Sequence, residues 1–160
     1  MRDSDDGPGR DLPGLAEIGL ANYPPYLMNR IMGRYNASIR DEMAKLGLTT
    51  PKMRALAVLS VMDGQLIGQL AVHAIVEQST LSRALDALQS EGLIRRETDP
   101  GDSRATRVFI TQSGRAAFAA LWPHMAEAYR AMFRGVSAEE QRVFVATLQK
   151  IHANIRKHDF

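Results

Sequence analysis

The most regular hydrophobic pattern in the chain lies between Gln78 and Glu91. Leu81, Ala84, Leu85 and Leu88 recur at i, i+3, i+4 and i+7 and so share one apolar helical stripe. Ser79, Ser82, Arg83 and Asp86 keep the same spacing on the opposite face. That face is short, polar and cationic toward its N-terminal end, where backbone N–H groups are also free. Gly92, with no Cβ penalty at a helix C-terminus, is the expected stop. Leu93-Ile94, two arginines and the turn-rich Asp99-Pro100-Gly101-Asp102 follow. The next run, Thr106 to Ile110, is β-branched and aromatic. The pattern predicts a helix and then a two-stranded hairpin with a charged tip. A helix that fits the major groove beside a basic hairpin points to nucleic acid.

Amphipathic helices flank this segment. After Pro24-Pro25, the residues Leu27, Ile31, Tyr35, Ile39, Met43 and Leu46 keep a stripe from about Tyr26 to Gly47. Thr50-Pro51 supplies an N-cap and a first-turn proline for a second helix. That helix is expected to bury Met53, Leu56, Ala57 and Val61 and to end at Asp63-Gly64. Gln65-Leu66-Ile67 leads to a small helix near Gly68 to Ile75, and a turn at Val76-Glu77 joins it to the helix described first. Together the two make a helix-turn-helix. Beyond the hairpin, Thr111 or Ser113 caps a helix with Phe118, Leu121, Trp122, Met125, Tyr129 and Phe133 on one broad stripe, and Pro123 inside it is a point of bending. Ser137 to Glu140 forms a capping box that opens a last helix bearing Phe144, Leu148, Ile151 and Ile155. The terminal helices are too apolar to lie alone in water, and a two-fold partner would bury them.

At 160 residues the chain suits one domain with a proper core. It has no run of about 18 apolar residues, so no membrane span is expected. Its N-terminus is acidic and rich in Gly and Pro, unlike a signal peptide, and the expected location is the cytoplasm. There are no cysteines, which excludes disulfides, thiolate metal sites and cysteine redox sensing. The net charge of +2 divides unevenly. Residues 1–20 hold two Arg against four Asp and one Glu, while residues 21–160 carry 18 basic and 13 acidic side chains, a net of +5. A mildly basic body is compatible with DNA. Residues 1–20 have no period and are expected to form a flexible acidic tail, with residues 21–160 as a single domain.

This order of elements resembles the MarR family of bacterial winged helix-turn-helix regulators. The resemblance covers roughly Leu27 to Ile155. It is carried by LTTPKMRAL at 48–56, QLAVHAIVEQSTLSRALDALQSEGLIRR at 69–96, DPGDSRATRV at 99–108 and ITQSGR at 110–115. It implies a mostly α fold with a small β-hairpin wing. Residues 48–111 would then be the DNA-binding winged helix-turn-helix, and 22–47 and 112–157 the dimerisation helices. One departure stands at Ile75, where the family often has glycine. Isoleucine resists positive φ, so this turn is expected to use a different backbone geometry.

The resemblance assigns roles to particular residues. Ser79, Thr80, Ser82 and Arg83 would face the major groove, with Arg83 able to fork onto guanine O6 and N7 and the hydroxyls onto phosphates or base edges. Arg104 at the wing tip would enter the minor groove, and Asp102 would hold its guanidinium by a charge-assisted bond. Arg95, Arg96 and Arg107 are weaker phosphate candidates. The implied function is a homodimeric repressor on an inverted-repeat operator in double-stranded DNA, released by a small aromatic or lipophilic effector. Tyr26, Met28, Met32, Met53 and Trp122 are candidate lining residues for the effector, but no polar anchor identifies a ligand.

Other chemistries lack their residues. His73, His124, His152 and His158 have no metal-like spacing with carboxylates, and no cofactor is implied. No nucleophile elbow or phosphate-cradling glycine loop is present, so the chain is not read as an enzyme. The alternative is a winged-helix protein-interaction module without operator binding. It would be marked by loss of the wing arginine or of the polar helix face, and both are present.

Overall fold

Local signals set most of the element boundaries. A computed structural model describes residues 12–160. Residues 1–11, part of the expected flexible tail, lie outside the described residues. The rest of that stretch departs from expectation: α1 (Leu15–Ile18) forms one helical turn, followed by a 3-10 turn at Leu20–Asn22. Glu17 closes α1 by accepting from the Gly14 N–H at 3.1 Å.

The described residues divide after Ala37 into two compact units. α2 (Pro24–Lys45) starts two residues before the expected position. Prolines are tolerated in a first turn because those N–H groups have no intrahelical partner. In the first unit Arg30 Nη1 donates to Tyr26 Oη at 2.9 Å.

The second unit continues with α3 (Thr50–Val61), β1 (Gln65–Leu66), α4 (Ile67–Ala74) and α5 (Gln78–Ser90). β2 (Ile94–Thr98), β3 (Thr106–Ile110), α6 (Gln112–Met132) and α7 (Ala138–Ile155) complete it. The fold is mostly α with a small sheet. Leu81, Ala84, Leu85 and Leu88, the stripe that marks α5 in the sequence, are all buried, and α5 packs on α3 and α4. Each fully buried leucine contributes roughly 1.5–3 kcal/mol. α3 packs on α4, α5 and α6, so it buries Met53, Ala55, Leu56 and Leu59 on more than one side. Val61, expected inside, is 82% exposed at the helix end, and Ala57 is half-buried.

The hairpin is part of a three-stranded antiparallel sheet in the order β1-β3-β2. Gln65 pairs with Val108 and Leu66 with Arg107, which covers the second edge of β3. On the other side Ile94 pairs with Ile110 and Arg95 with Phe109. Ile94, Val108 and Ile110 point into the core, and Arg95 and Phe109 stack on the opposite face, 4.3 Å from guanidinium carbon to ring centre.

The helix-turn-helix turn contradicts its expectation. Ile75 sits at φ 55, ψ 48, the left-handed conformation that glycine would have supplied. The turn closes with Val76 N to Ala71 O at 3.1 Å and Ile75 N to Val72 O at 3.2 Å, the Schellman pair. Arg54 Nη1 from α3 donates to the Ile75 carbonyl at 2.9 Å. These bonds, with the side chain 78% exposed, outweigh a steric cost of about 1–2 kcal/mol.

α6 is docked onto the sheet through the Thr-x-x-Gly segment. Thr111 is the N-cap and accepts from the Gly114 N–H at 3.0 Å, while its own hydroxyl donates to Gly92 O at 2.7 Å. The helix then runs without interruption through Pro123. Gly114 is buried, and a Cβ there would lie 2.0 Å from the Leu93 carbonyl oxygen and 2.8 Å from Ile110 Cγ1. Only glycine lets helix and strand approach this closely. Gly114→Ala should therefore destabilise the protein by about 3 kcal/mol, read as a lower urea midpoint. An unchanged midpoint would contradict this packing.

Candidate nucleic-acid interface

The polar face of α5 and the tip of the β2–β3 wing border one open groove of about 880 Å³, whose lining includes Gln69, Gln78, Ser82, Arg104 and Thr106. Phe160 lines it as well, with its ring edge-on to His73 at 5.6 Å. The core stripe of α5 fixes which face it turns outward. Ser79 and Arg83 are exposed, while Thr80 and Ser82 are half-buried. Arg83 has no hydrogen-bond or ion-pair partner among the described residues. Ser79 and Thr80 are not free: Ser79 Oγ donates to the Glu77 carboxylate at 2.7 Å, and Thr80 Oγ1 lies 3.5 Å from its other oxygen.

The wing tip presents one arginine and ties down another. Arg104 is 90% exposed, and Asp102 Oδ1 accepts from its backbone N–H at 3.0 Å and its Nε at 3.2 Å. The aspartate thus orients the guanidinium that it partly neutralises. Asp99 Oδ2 accepts from the Gly101 and Asp102 amides, both at 3.0 Å, and so folds the tip. Its other oxygen accepts from Arg107 Nε, and Arg107 Nη1 donates to Gly64 O at 2.8 Å.

The three strand arginines are all engaged. Arg107 braces the wing against the α3–β1 loop. Arg96 donates to Asp86 on α5 at 2.7 Å with its side chain 25% exposed, and its Nε has no partner. Arg95 pairs with Glu97 and covers Phe109, while staying half-exposed. All three are phosphate candidates by sequence, and in the fold Arg96 also ties β2 to α5 while Arg107 also ties the wing tip to Gly64.

Three acidic residues that position this site carry no local sign of that role. The sequence marks Glu77 and Asp99 only as turn residues. It marks Asp63 only as a helix end, yet its carboxylate accepts from Ile110 N at 2.9 Å and from Arg115 Nη2 at 3.1 Å. No spacing rule links Asp63 to residues about fifty positions away. Of the residues named for an effector, Met53 is buried in the α3 core and Trp122 is 56% exposed on α6. No group of three or more His, Asp or Glu able to hold a metal occurs among the described residues. No described helix is long and apolar enough to cross a membrane.

Comparison with known proteins agrees with this architecture. A family model for the MarR family matches residues 46–105. A MarR-family transcriptional regulator from Silicibacter pomeroyi, known from its crystal structure, is 59% identical, with a TM-score of 0.89. That match covers 92% of this chain and 100% of the other. A second MarR-family regulator structure, from Silicibacter pomeroyi DSS, is 29% identical over 87% of this chain and 93% of its own, with a TM-score of 0.80. The HTH-type transcriptional repressor IacR of Pseudomonas putida is 27% identical over 82% of this chain and 79% of that protein.

The wing brace carries a pH signature. The Arg107 guanidinium bonded to Asp99, helped by the Gly101 and Asp102 amides, holds its carboxyl below the ordinary value of 3.8, against the opposing effect of desolvation. A lowered folded value means that the stabilisation is complete above the unfolded value. It is lost as pH falls through the folded one. The wing should therefore stay braced at neutral pH and loosen only in acid. In an NMR titration, the Gly101 and Asp102 amide shifts should move with a midpoint below 3.8. A midpoint at or above it would show that the brace does not form in solution.

Proposed function

The chain belongs to the MarR family of transcriptional regulators, and from that premise we propose that it binds an inverted-repeat operator in double-stranded DNA as a homodimer and represses transcription in the cytoplasm. The observation that carries the reading is the wing arginine. Arg104 stands 90% exposed, aimed by Asp102, at the border of the groove that Ser82 of α5 also lines. A helix in the major groove and an arginine in the adjacent minor groove can be served together by that arrangement. Ser79, Thr80, Ser82 and Arg83 supply the base-reading face. Arg95 is the strand arginine best placed for phosphate, because its side chain is 52% exposed against 25% for Arg96 and 38% for Arg107.

Dimerisation is supported by surface that the single chain leaves uncovered. α7 has no buried residue, and its Val143, Phe144, Val145, Ile151 and Ile155 are exposed together with Trp122 and Tyr129 of α6. An amphipathic helix with its apolar stripe in water lacks the burial that normally stabilises it. A two-fold copy supplies that burial, and it also places two reading helices about one duplex turn apart. A small aromatic or lipophilic effector would release the operator by favouring a dimer with another head spacing.

Fluorescence anisotropy against the DNA upstream of its own coding sequence, over a salt series, tests this reading. Binding should be specific and fall steeply with salt, and Arg104→Ala should weaken it by about 1–3 kcal/mol. Equal binding by wild type and variant would remove Arg104 from the interface.

A further inference from the structure

The groove between α4, α5 and the wing tip carries an occupant from the chain itself. α7 ends at Ile155, Arg156 leaves the helix extended at φ −63, ψ 143, and the backbone bends at Lys157 and His158. His158 and Phe160 then line the same groove as Gln78, Ser82, Arg104 and Thr106. Operator reading by α5 and the wing makes no use of this segment.

Rings seat it. Phe160 stands edge-on to His73 of α4, with ring centres 5.6 Å apart and an interplanar angle of 79°, and His158 lies 5.2 Å from Phe160. His73 is itself anchored, its Nδ1 lying 3.1 Å from Oε1 of Gln65 on β1, the strand that pairs with β3. Leu66, Val72 and Val76 add apolar lining. Among the described residues no hydrogen bond or ion pair holds residues 157–160. The seat is therefore one that can empty. An aromatic pair of this geometry is worth a factor of about two to ten. Such an equilibrium leaves roughly a tenth to a third of the molecules open.

DNA cannot fill the groove while Phe160 does, because Ser82 and Arg104 share its lining. When only a fraction of the molecules is competent to bind, the apparent affinity falls by that fraction. We propose that residues 156–160 form an autoinhibitory arm: Phe160, docked on His73, occupies the DNA groove of the free protein, and the operator must displace it. The inference rests on that groove being the DNA face.

Phe160→Ala and Phe160→Trp in the intact protein test it. Each is compared with wild type by anisotropy on a duplex selected from random sequence, and by proton NMR of the His73 ring without DNA. Phe160 is 52% exposed and lies outside every helix and strand, so circular dichroism should not change. Neither substitution alters charge, so the salt dependence should keep its slope. Phe160→Ala should bind about threefold to tenfold tighter, Phe160→Trp should bind like wild type, and the His73 ring signals should shift only in Phe160→Ala. Unchanged binding by Phe160→Ala would overturn the inhibition, and weaker binding would make Phe160 part of the grip instead. His73 signals identical in wild type and Phe160→Ala would show that the arm does not dock. Failure of both wild type and Phe160→Ala to enrich any sequence would instead remove the DNA reading, and the inference with it.

Discussion

The wing is held in place by the Asp63–Gly64 loop. Asp63 accepts from the Ile110 amide at the end of β3 and from Arg115 on α6. Gly64 offers its carbonyl to Arg107, whose other end grips Asp99 at the wing tip. One loop thereby joins the end of α3, the central strand, the first turn of α6 and the turn that presents Arg104. Charge-assisted bonds of this kind are the stronger class of hydrogen bond, and they are directional. A two-stranded ribbon alone is marginally stable. This one is made rigid by β1 along its open edge and by the bonds at its tip.

The same economy runs through the reading helix. Its orientation follows from a four-residue apolar stripe seated on α3 and from a turn that Arg54 of α3 secures at the Ile75 carbonyl. α3 thus touches both determinants of the interface: it buries α5 and it leads into the loop that braces the wing. A left-handed isoleucine in that turn is strain held by tertiary bonds. It lies where the angle between the two helices is set.

Much of this was legible in the sequence because its causes are local. The i, i+3, i+4, i+7 stripe, the glycine after α5, the Ser137–Glu140 capping box and the β-branched run of β3 each act within a few residues, and each formed where expected. What was missed depends on partners distant in sequence. β1 is two residues with no alternating pattern, and it becomes a strand because β3 has a free edge to pair. Ile75 was expected to avoid positive φ, since the Arg54 bond that helps to secure it cannot be seen in a local window. The charges of the interface were legible as residue types but not as pairs. The sequence marks Arg107 and Asp99 as a strand arginine and a turn aspartate, and only folding makes them a brace. Ser79 reads as a free hydroxyl until Glu77 is seen beside it.

The central claim is that two copies of this head, each with α5 in a major groove and Arg104 in the neighbouring minor groove, grip one operator. Hydroxyl-radical footprinting of the intact protein on its selected duplex measures that geometry at single-nucleotide resolution. The account predicts a two-fold symmetric footprint, with half-sites whose centres are about one helical turn apart and with flanking minor-groove protection on each side. A single unsymmetric protected window, or uniform protection along the duplex, would contradict it.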